Sequence, residues 1–294
     1  IQVHPNAQQA EEGFASTQSG LTAAQSYSSP RGKEEIVCAL TETDLKFGFR
    51  EVNEIHAIIE AAGHSDFSRL KESLSRETPT EGLKNAIQKI LSTDADTIRS
   101  ITSSVLSSDM SSTVINERET KYFTSLVETY PDDPGLLLFL LMNFVTLEPG
   151  DFLYVSPGVT HAYLRGNVVE ITSNSDNVIR CGLTPKHVNA HEFLSIASFV
   201  SEQPEIQTPA ESVHTYESPT PFTLTRLNLN EELEATLHGP EILISTQNNF
   251  TITNKSENSF HVEQGHPVWV PYSDTSYKIT GNCLLFRCAT NPYF

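Results

Sequence analysis

The second half of the chain repeats the pattern of one stretch, Gly150-Asp151-Phe152-Leu153-Tyr154-Val155-Ser156-Pro157. It is a glycine turn followed by a short apolar run and a proline. From Thr146 onward, similar runs alternate with Gly, Pro and Asn turns. Short strands separated by turn residues at regular intervals are typical of antiparallel barrels and sandwiches. The pattern therefore predicts a mainly β fold for this half of the chain.

A weaker copy of the same pattern lies further along, at Gly265-His266-Pro267-Val268-Trp269-Val270-Pro271. Eleven residues after Gly150 stands His161, and eleven residues after Gly265 stands Ser276. We interpret the repetition as two related β-barrels, the second of which has no metal-binding histidine. The polar, proline-rich segment from Gln203 to Pro221 is then predicted to link the two β-units.

Residues 51–144 have a different period. Apolar residues recur at helical spacing, as in Ile55, Ile58 and Ile59, and polar residues occupy the other positions. Pro131-Asp132-Asp133-Pro134-Gly135 interrupts this pattern, and we predict a last helix from Leu136 to Phe144. The segment is predicted to be a helical insertion packed beside the first barrel.

Residues 1–50 are predicted to form strands at both ends of a polar loop that runs from Gln18 to Gly32. Together with residues 145–195 they are expected to make the first barrel. Residues 196–294 are expected to make the second.

Charge excludes some partners. The 294 residues carry a formal net charge of −18, from 37 acidic and 19 basic residues. An acidic surface repels a nucleic-acid backbone, so no nucleic acid is expected to bind. An anionic ligand must instead be held by a few cations gathered in one place.

The longest apolar run, Leu136 to Val145, is too short to cross a bilayer, so no membrane partner is expected. The four cysteines show no CxxC spacing and are predicted to be reduced thiols. We expect a monomer in the cytoplasm.

Candidate metal ligands lie far apart in the sequence. Gln2 and His4 are two residues apart, so on a strand both side chains would project from one face. His161 follows a strand and a Pro-Gly turn, and Glu35 leads into the apolar run Ile36 to Leu40. One amide oxygen, two imidazoles and one carboxylate would suit Zn²⁺.

Four motifs carry a resemblance to a known family. The chain resembles the type I phosphomannose isomerases, which are zinc-dependent enzymes with two cupin (jelly-roll) barrels and a helical domain. The motifs are Ile1-Gln2-Val3-His4-Pro5-Asn6, Lys33-Glu34-Glu35-Ile36 with Phe47-Gly48-Phe49-Arg50, Thr160-His161-Ala162-Tyr163-Leu164, and Ser175-Asp176-Asn177-Val178-Ile179-Arg180-Cys181-Gly182-Leu183-Thr184-Pro185-Lys186.

The resemblance assigns roles to individual residues. It implies that one zinc ion is bound by the residues already singled out, Gln2, His4, Glu35 and His161. It implies a catalytic arginine at Arg180 and phosphate- or substrate-binding lysines at Lys186 and Lys33. It places an acid that acts near the sugar at Glu170. In an acidic protein, Arg180 and Lys186 also form the kind of local cationic pair that a sugar phosphate needs.

The implied activity is the reversible isomerisation of mannose 6-phosphate and fructose 6-phosphate through a cis-enediol. Two alternatives stay open on the sequence: a cupin metalloenzyme of another reaction class, and a non-catalytic sugar-phosphate-binding cupin. Many family members have Asn-His-Lys-Pro-Glu where this chain has Arg31-Gly32-Lys33-Glu34-Glu35, so a proton relay through that histidine is not expected here.

The family also has strands before the glutamine ligand, whereas this sequence starts at Ile1. We expect the natural protein to be longer. If it is, the 294-residue chain alone is expected to bind zinc weakly and to have isomerase activity that is reduced by orders of magnitude or absent, since the preceding strands would support the strand of Gln2 and His4.

Overall fold

The computed structural model describes residues 1–19, 26–76, 78–110 and 113–292. Part of the predicted loop from Gln18 to Gly32 lies outside these residues.

Two antiparallel sheets form the first barrel. Its strands are β1 (Gln2–Val3), β2 (Glu35–Ala39), β3 (Thr43–Phe49), β4 (Met142–Leu147), β5 (Phe152–Val155), β6 (His161–Arg165), β7 (Val168–Thr172), β8 (Ile179–Arg180) and β9 (Ile206–Gln207). Sheet A has the order β4-β3-β6-β1-β8, and sheet B has the order β7-β2-β5-β9. Strand β1 is therefore paired along both edges.

Two further antiparallel sheets form the second barrel. Its strands are β10 (Val213–Tyr216), β11 (Phe222–Leu229), β12 (Leu233–Thr236), β13 (Glu241–Gln247), β14 (Phe250–Asn254), β15 (Ser259–Val262), β16 (Pro267–Val270), β17 (Ser276–Thr280) and β18 (Cys283–Thr290), with a 3₁₀ turn at Tyr272–Asp274. Sheet C has the order β10-β11-β18-β13-β16, and sheet D has the order β12-β17-β14-β15. The predicted pair of β-barrels is confirmed.

The predicted helical region is also confirmed. The helices are α1 (Ala7–Gln18), α2 (Val52–Ala62), α3 (Ser65–Ser68), α4 (Leu70–Arg76), α5 (Pro79–Leu91), α6 (Ala95–Ser107), α7 (Glu117–Thr129), α8 (Gly135–Leu141) and α9 (Ala190–Ile196). Helix α5 illustrates why they form. The Thr78 side chain accepts a hydrogen bond from the Glu81 amide and so caps the first turn, and Leu83, Ile87 and Ile90 bury one face.

The cores show that the molecule is built in layers. One large cluster joins the helices to residues of sheet A such as Val3 and Phe49. A second cluster lies between sheets A and B, and a third lies between sheets C and D. A fourth cluster, which includes Phe152 of sheet B and Phe286 of sheet C, joins the two barrels. The helices thus cover one side of the first barrel, and the second barrel covers the other.

A buried ion cluster joins helix α7 to sheet A. Lys46 Nζ lies 2.5 Å from Glu119 Oε1, and Arg50 Nη2 donates to both Glu119 oxygens at 2.7 Å. Burial lowers the pKa of Lys46 to about 7, and the charge of Glu119 opposes that shift. Lys46 Nζ also lies 4.3 Å from the centre of the Phe139 ring, which is a cation–π contact.

Two predictions on local structure were wrong. The helix predicted from Leu136 to Phe144 ends at Leu141, and Met142 begins a strand. The apolar run spans both elements because both are buried, so its composition does not mark the boundary. Helix α1 was not predicted. It begins at a capping box, in which Asn6 and Gln9 bond each other's backbone amides.

The prediction of a linker from Gln203 to Pro221 was also wrong in part. Within it, β9 pairs with β5 of the first barrel and β10 pairs with β11 of the second. The segment therefore adds one edge strand to each barrel. Its prolines lie outside these two short strands, where no ladder hydrogen bond is needed.

We propose a division into three parts: a metal-binding barrel, a helical insertion and a second barrel. The strands move the expected bounds, because β4 starts at Met142 and β9 ends at Gln207, and both belong to the first barrel. The shared core between helices and sheet A supports an insertion that packs on the barrel. Among the described residues, no helix is both long and apolar enough to span a membrane. Cys38, Cys181, Cys283 and Cys288 are free thiols.

Candidate metal centre and substrate cavity

The ends of strands bring the predicted metal ligands together. Gln2 opens β1, Glu35 opens β2 and His161 opens β6, and His4 lies one residue beyond β1. Gln2 and His161 are directly paired across neighbouring strands. His4, Glu35 and His161 are buried, and one ligand atom of each lies within 4.8 Å of the other two.

Backbone carbonyl groups fix the orientation of both histidine rings. His4 Nδ1 lies 2.9 Å from the Asn177 carbonyl oxygen, and His161 Nδ1 lies 3.0 Å from that of Val159. A carbonyl oxygen only accepts hydrogen bonds, so each Nδ1 must carry the proton. Burial also lowers the pKa of His4. In the neutral rings, both Nε2 atoms therefore present a lone pair.

These lone pairs face a carboxylate. His4 Nε2 lies 3.0 Å from Glu35 Oε1, and His161 Nε2 lies 3.5 Å from Glu35 Oε2. Neither His4 Nε2 nor Glu35 Oε2 makes a hydrogen bond to the described residues. Electron-rich atoms that face one another in a buried site are stabilised by a cation between them.

The donor set fits zinc. Two neutral imidazoles with ordered second nitrogens and one carboxylate are common ligands of catalytic Zn²⁺. Gln2 Nε2 lies 3.2 Å from His161 Nε2, so the Gln2 amide borders the same point. Rotation of that amide would present its oxygen to a metal ion.

Lys33 lies beside this cluster rather than at a separate phosphate site. Its ammonium group is 2.9 Å from Glu35 Oε1, and 13% of its side chain is exposed. Lys33 therefore contributes positive charge next to the carboxylate.

A cavity of about 460 Å³ opens beside the cluster. Gln2, Arg180 and Lys186 line it, together with Tyr122 and Ser125 of helix α7. Arg180 pairs with Gln2 across strands β8 and β1, so the two side chains project from the same face of sheet A. Neither Arg180 nor Lys186 forms an ion pair with the described residues, so both cations remain available to an anionic ligand.

Glu170 lies on the neighbouring sheet. Its strand partner is Val37, and Thr172 pairs with Glu35, so Glu170 and Glu35 project from the same face of sheet B. Partial burial of its carboxyl, followed by the charge of Glu35, raises the pKa of Glu170 to about 7. The structure thus brings Glu170 to the metal cluster, whereas Arg180 and Lys186 line the cavity beyond it.

A residue that holds part of the cavity wall was not predicted from the sequence. Asp133 Oδ2 accepts a hydrogen bond from the Leu183 amide at 2.8 Å, and Asp133 Oδ1 accepts one from Gly135. Leu183 has a φ of 53°, a strained conformation for a non-glycine residue. The Asp133 carboxylate thereby holds the loop that carries Lys186. The sequence around Asp133 does not reveal this role, because Pro131-Asp132-Asp133-Pro134-Gly135 is explained as a helix breaker and Leu183 is distant in the sequence.

Known proteins resemble the chain along almost all of its length. No protein-family model matches it. It is 30% identical over 300 residues to mannose-6-phosphate isomerase from Salmonella typhimurium, covering 98% of this chain and 74% of that protein. The bovine (Bos taurus) mannose-6-phosphate isomerase is 26% identical, with 98% of this chain and 73% of that protein covered.

Solved structures agree. A zinc-bound mannose 6-phosphate isomerase has a TM-score of 0.84 at 25% identity, with 99% of this chain and 75% of that chain covered. A point mutant of phosphomannose isomerase from Salmonella typhimurium has a TM-score of 0.85 at 25% identity, with the same coverage of 99% and 75%.

Proposed function

The chain belongs to the mannose-6-phosphate isomerase family, and from that membership we infer that it interconverts mannose 6-phosphate and fructose 6-phosphate. The observation that carries this inference is the juxtaposition of a buried zinc-type cluster with a cavity that has two unpaired cations. One end of the cavity suits the carbonyl end of the sugar and the other suits its phosphate.

We assign different roles to Lys186, to Arg180 and to the metal ligands. Lys186, at the exposed end of the cavity, would bind the phosphate as a point charge. Arg180, next to Gln2, would lie beside the sugar oxygens, where negative charge develops as the C2 proton leaves. His4, Glu35, His161 and Gln2 would hold a zinc ion, which would supply a Lewis acid for those oxygens.

A proton must also move from C2 to C1 of the sugar. We assign this transfer to Glu170, because its carboxyl projects from the same face as Glu35 and lies close to the cluster. Deprotonation at C2 leaves the negative charge on O1 of a cis-enediolate. A proton then moves from O2 to O1, and return of the carbon-bound proton to C1 as the C2 carbonyl forms completes the ketose.

The division between the two cations is testable. Lys186→Ala is expected to raise the KM for mannose 6-phosphate by about tenfold or more, with a smaller change in kcat, since it removes a ground-state phosphate contact. Arg180→Ala is expected to lower kcat by about 100-fold, since its charge is assigned to the transition state. Steady-state kinetics would measure both values.

Lys255→Ala, in an exposed turn of the second barrel, is the matched control and should leave both constants unchanged. If Lys186→Ala and Arg180→Ala changed KM alone, the role given to Arg180 would be wrong.

The proton carrier can be tested separately. Glu170→Gln keeps the shape of the side chain and removes the base, so kcat is expected to fall by about 100-fold or more while zinc content stays constant. Turnover in D₂O would show whether the remaining product still gains solvent deuterium. Wild-type turnover with normal deuterium incorporation in Glu170→Gln would assign the proton transfer to another group.

We further propose that the enzyme works as a cytoplasmic monomer in mannose metabolism. The free thiols support a reducing compartment. Size-exclusion chromatography with light scattering would measure the molar mass in solution. The mass of a dimer would contradict the proposed monomer.

A further inference from the structure

The two barrels repeat the same strand pairings. In the first, β2 pairs with β5 and β7, and β3 pairs with β4 and β6. In the second, β13 pairs with β16 and β18, and β14 pairs with β15 and β17. Each strand of one set therefore has a counterpart in the other, and positions can be compared through their cross-strand partners.

Glu35 has a counterpart in the second barrel. Glu35 pairs with Val155, and Glu241 pairs with Val270 at the same place in the second barrel. The position of His161 is taken by Ser276, the first residue of β17. A carboxylate is thus kept, and one imidazole is lost.

The remaining site positions follow from the same registers. Gln2 pairs with His161 and Thr236 pairs with Ser276, so Thr236 takes the position of Gln2. His238, two residues after Thr236, then corresponds to His4. The counterpart of Glu170 is Arg287, because Glu170 pairs with Val37 and Arg287 pairs with Leu243.

Apart from Ser276, these counterparts line a cavity of about 430 Å³. Its polar lining includes Thr225, Thr236, His238, Glu241 and Arg287. Glu241 is buried, and its Oε2 accepts a hydrogen bond from the Tyr277 hydroxyl at 2.6 Å. Arg287 Nη2 reaches Thr225 Oγ1 at 3.4 Å. The cavity has the volume of a small-molecule site.

The charges differ from those of the first barrel. A guanidinium group stands where the first barrel has the second carboxylate, and serine stands where it has a metal-ligating imidazole. Among the described residues, a metal-type group of three ligands occurs at His4, Glu35 and His161 and not here. The second cavity therefore has its positive charge built into the protein.

The Arg287 side chain lacks partners for its full donor set. The guanidinium group contacts the hydroxyls of Thr225 and Tyr277. Its Nε atom, however, is buried without a hydrogen bond to the described residues. A buried guanidinium donor without an acceptor is costly, and a ligand oxygen would satisfy it.

We propose that this cavity binds a neutral polyhydroxylated molecule of monosaccharide size, such as a hexitol. Hydroxyl groups accept hydrogen bonds from Arg287 and donate them to Glu241, so one ligand can serve both charges. A phosphate would satisfy Arg287 but would face the carboxylates of Glu241 and Glu217.

Mannitol is a suitable probe, because it is neutral and has no carbonyl group to isomerise. Saturation-transfer difference NMR on the zinc-loaded protein, with mannitol at about 1–20 mM, is expected to show binding. Arg287→Met is expected to weaken it about tenfold or more, since it removes charged donors and keeps most of the bulk. Arg287→Lys should give an intermediate loss, because it keeps the charge without the planar fork.

Two controls locate the signal. Lys278→Met removes a cation of the same barrel that is paired with Glu232, and it should bind mannitol as the wild type does. Lys186→Ala, in the first cavity, should do the same. Thermal melting would show that each variant is folded. If Arg287→Met does not fold, Arg287→Lys and Glu241→Gln provide the test, each with an expected loss of severalfold.

Three outcomes would overturn the proposal. If the folded Arg287 variants bind mannitol as well as the wild type does, Arg287 does not contact the ligand. Loss of binding in Lys186→Ala would place mannitol in the first cavity. Displacement of mannitol by inorganic phosphate at the same concentration would show that the site prefers an anionic ligand.

Discussion

His161→Ala is expected to lower zinc affinity and isomerase activity together, each by at least about 100-fold. The ring is fully buried at the start of β6, and its Nδ1 contact with the Val159 carbonyl directs Nε2 at Glu35. Alanine leaves a buried carboxylate with one imidazole fewer to share a cation. Zinc content by atomic absorption and turnover of mannose 6-phosphate would measure the two losses.

Chelation should have the same effect on the wild-type chain, and added Zn²⁺ should restore it. His261→Ala is the matched control, because His261 lies on β15 of the second barrel and its side chain is exposed. That variant should keep both zinc and activity. Full turnover by a His161→Ala protein that contains no zinc would refute the metal centre.

Glu119→Gln is expected to lower the free energy of unfolding by about 3–5 kcal/mol. The substitution removes the one carboxylate that lies between Lys46 and Arg50, at 2.5 and 2.7 Å. All three groups are buried, so water cannot replace the lost charge. Urea unfolding of the wild type and the variant would measure the difference.

Two further variants separate a buried ion cluster from an ordinary ion pair. Asp66→Asn breaks the exposed pair with Arg69 and should cost about 1 kcal/mol or less. Lys46→Met should be far milder than Glu119→Gln, because a thioether suits the Phe139 ring and the bidentate Arg50–Glu119 pair survives. A Glu119→Gln loss no larger than that of Asp66→Asn would contradict the expected role of the cluster.

The sequence pattern predicted helices and strands correctly where apolar residues recur with one period, either that of a helix or that of a strand. The alternation after Thr146 predicted the strands, and the helical spacing of Ile55, Ile58 and Ile59 predicted helix α2. Pattern failed where buried elements of different type adjoin, as at the junction of Leu141 and Met142. It also failed where pairing partners decide the structure, as for β9 in the supposed linker.

The residues of the candidate site were predicted from motifs rather than from periodicity. Four long motifs identified its residues, whereas spacing alone linked only Gln2 with His4. The structure brings His4, Glu35 and His161 to one point, as expected for a metal centre. The role of Asp133 could not be read from the sequence, because its effect on Leu183 depends on a contact between distant segments.

Strand β1 is supported by strands that follow it in the chain. It pairs with β6 on one side and β8 on the other, because the segment after β7 returns to the barrel. That preceding strands supply part of its support stays a prediction. Residues that follow the first metal ligands in sequence thus align them.

The position of the helical insertion has a consequence for how the protein folds. β3 and β4 are neighbours in sheet A, yet the whole of α2 to α8 lies between them in the chain. A disordered segment of that length would make closure of this strand pair entropically costly and slow. Helices that pack early would bring the two strand ends together. We therefore expect the first barrel to complete its sheet late, after its insertion has formed, so that the helical segment sets the rate at which the metal site appears.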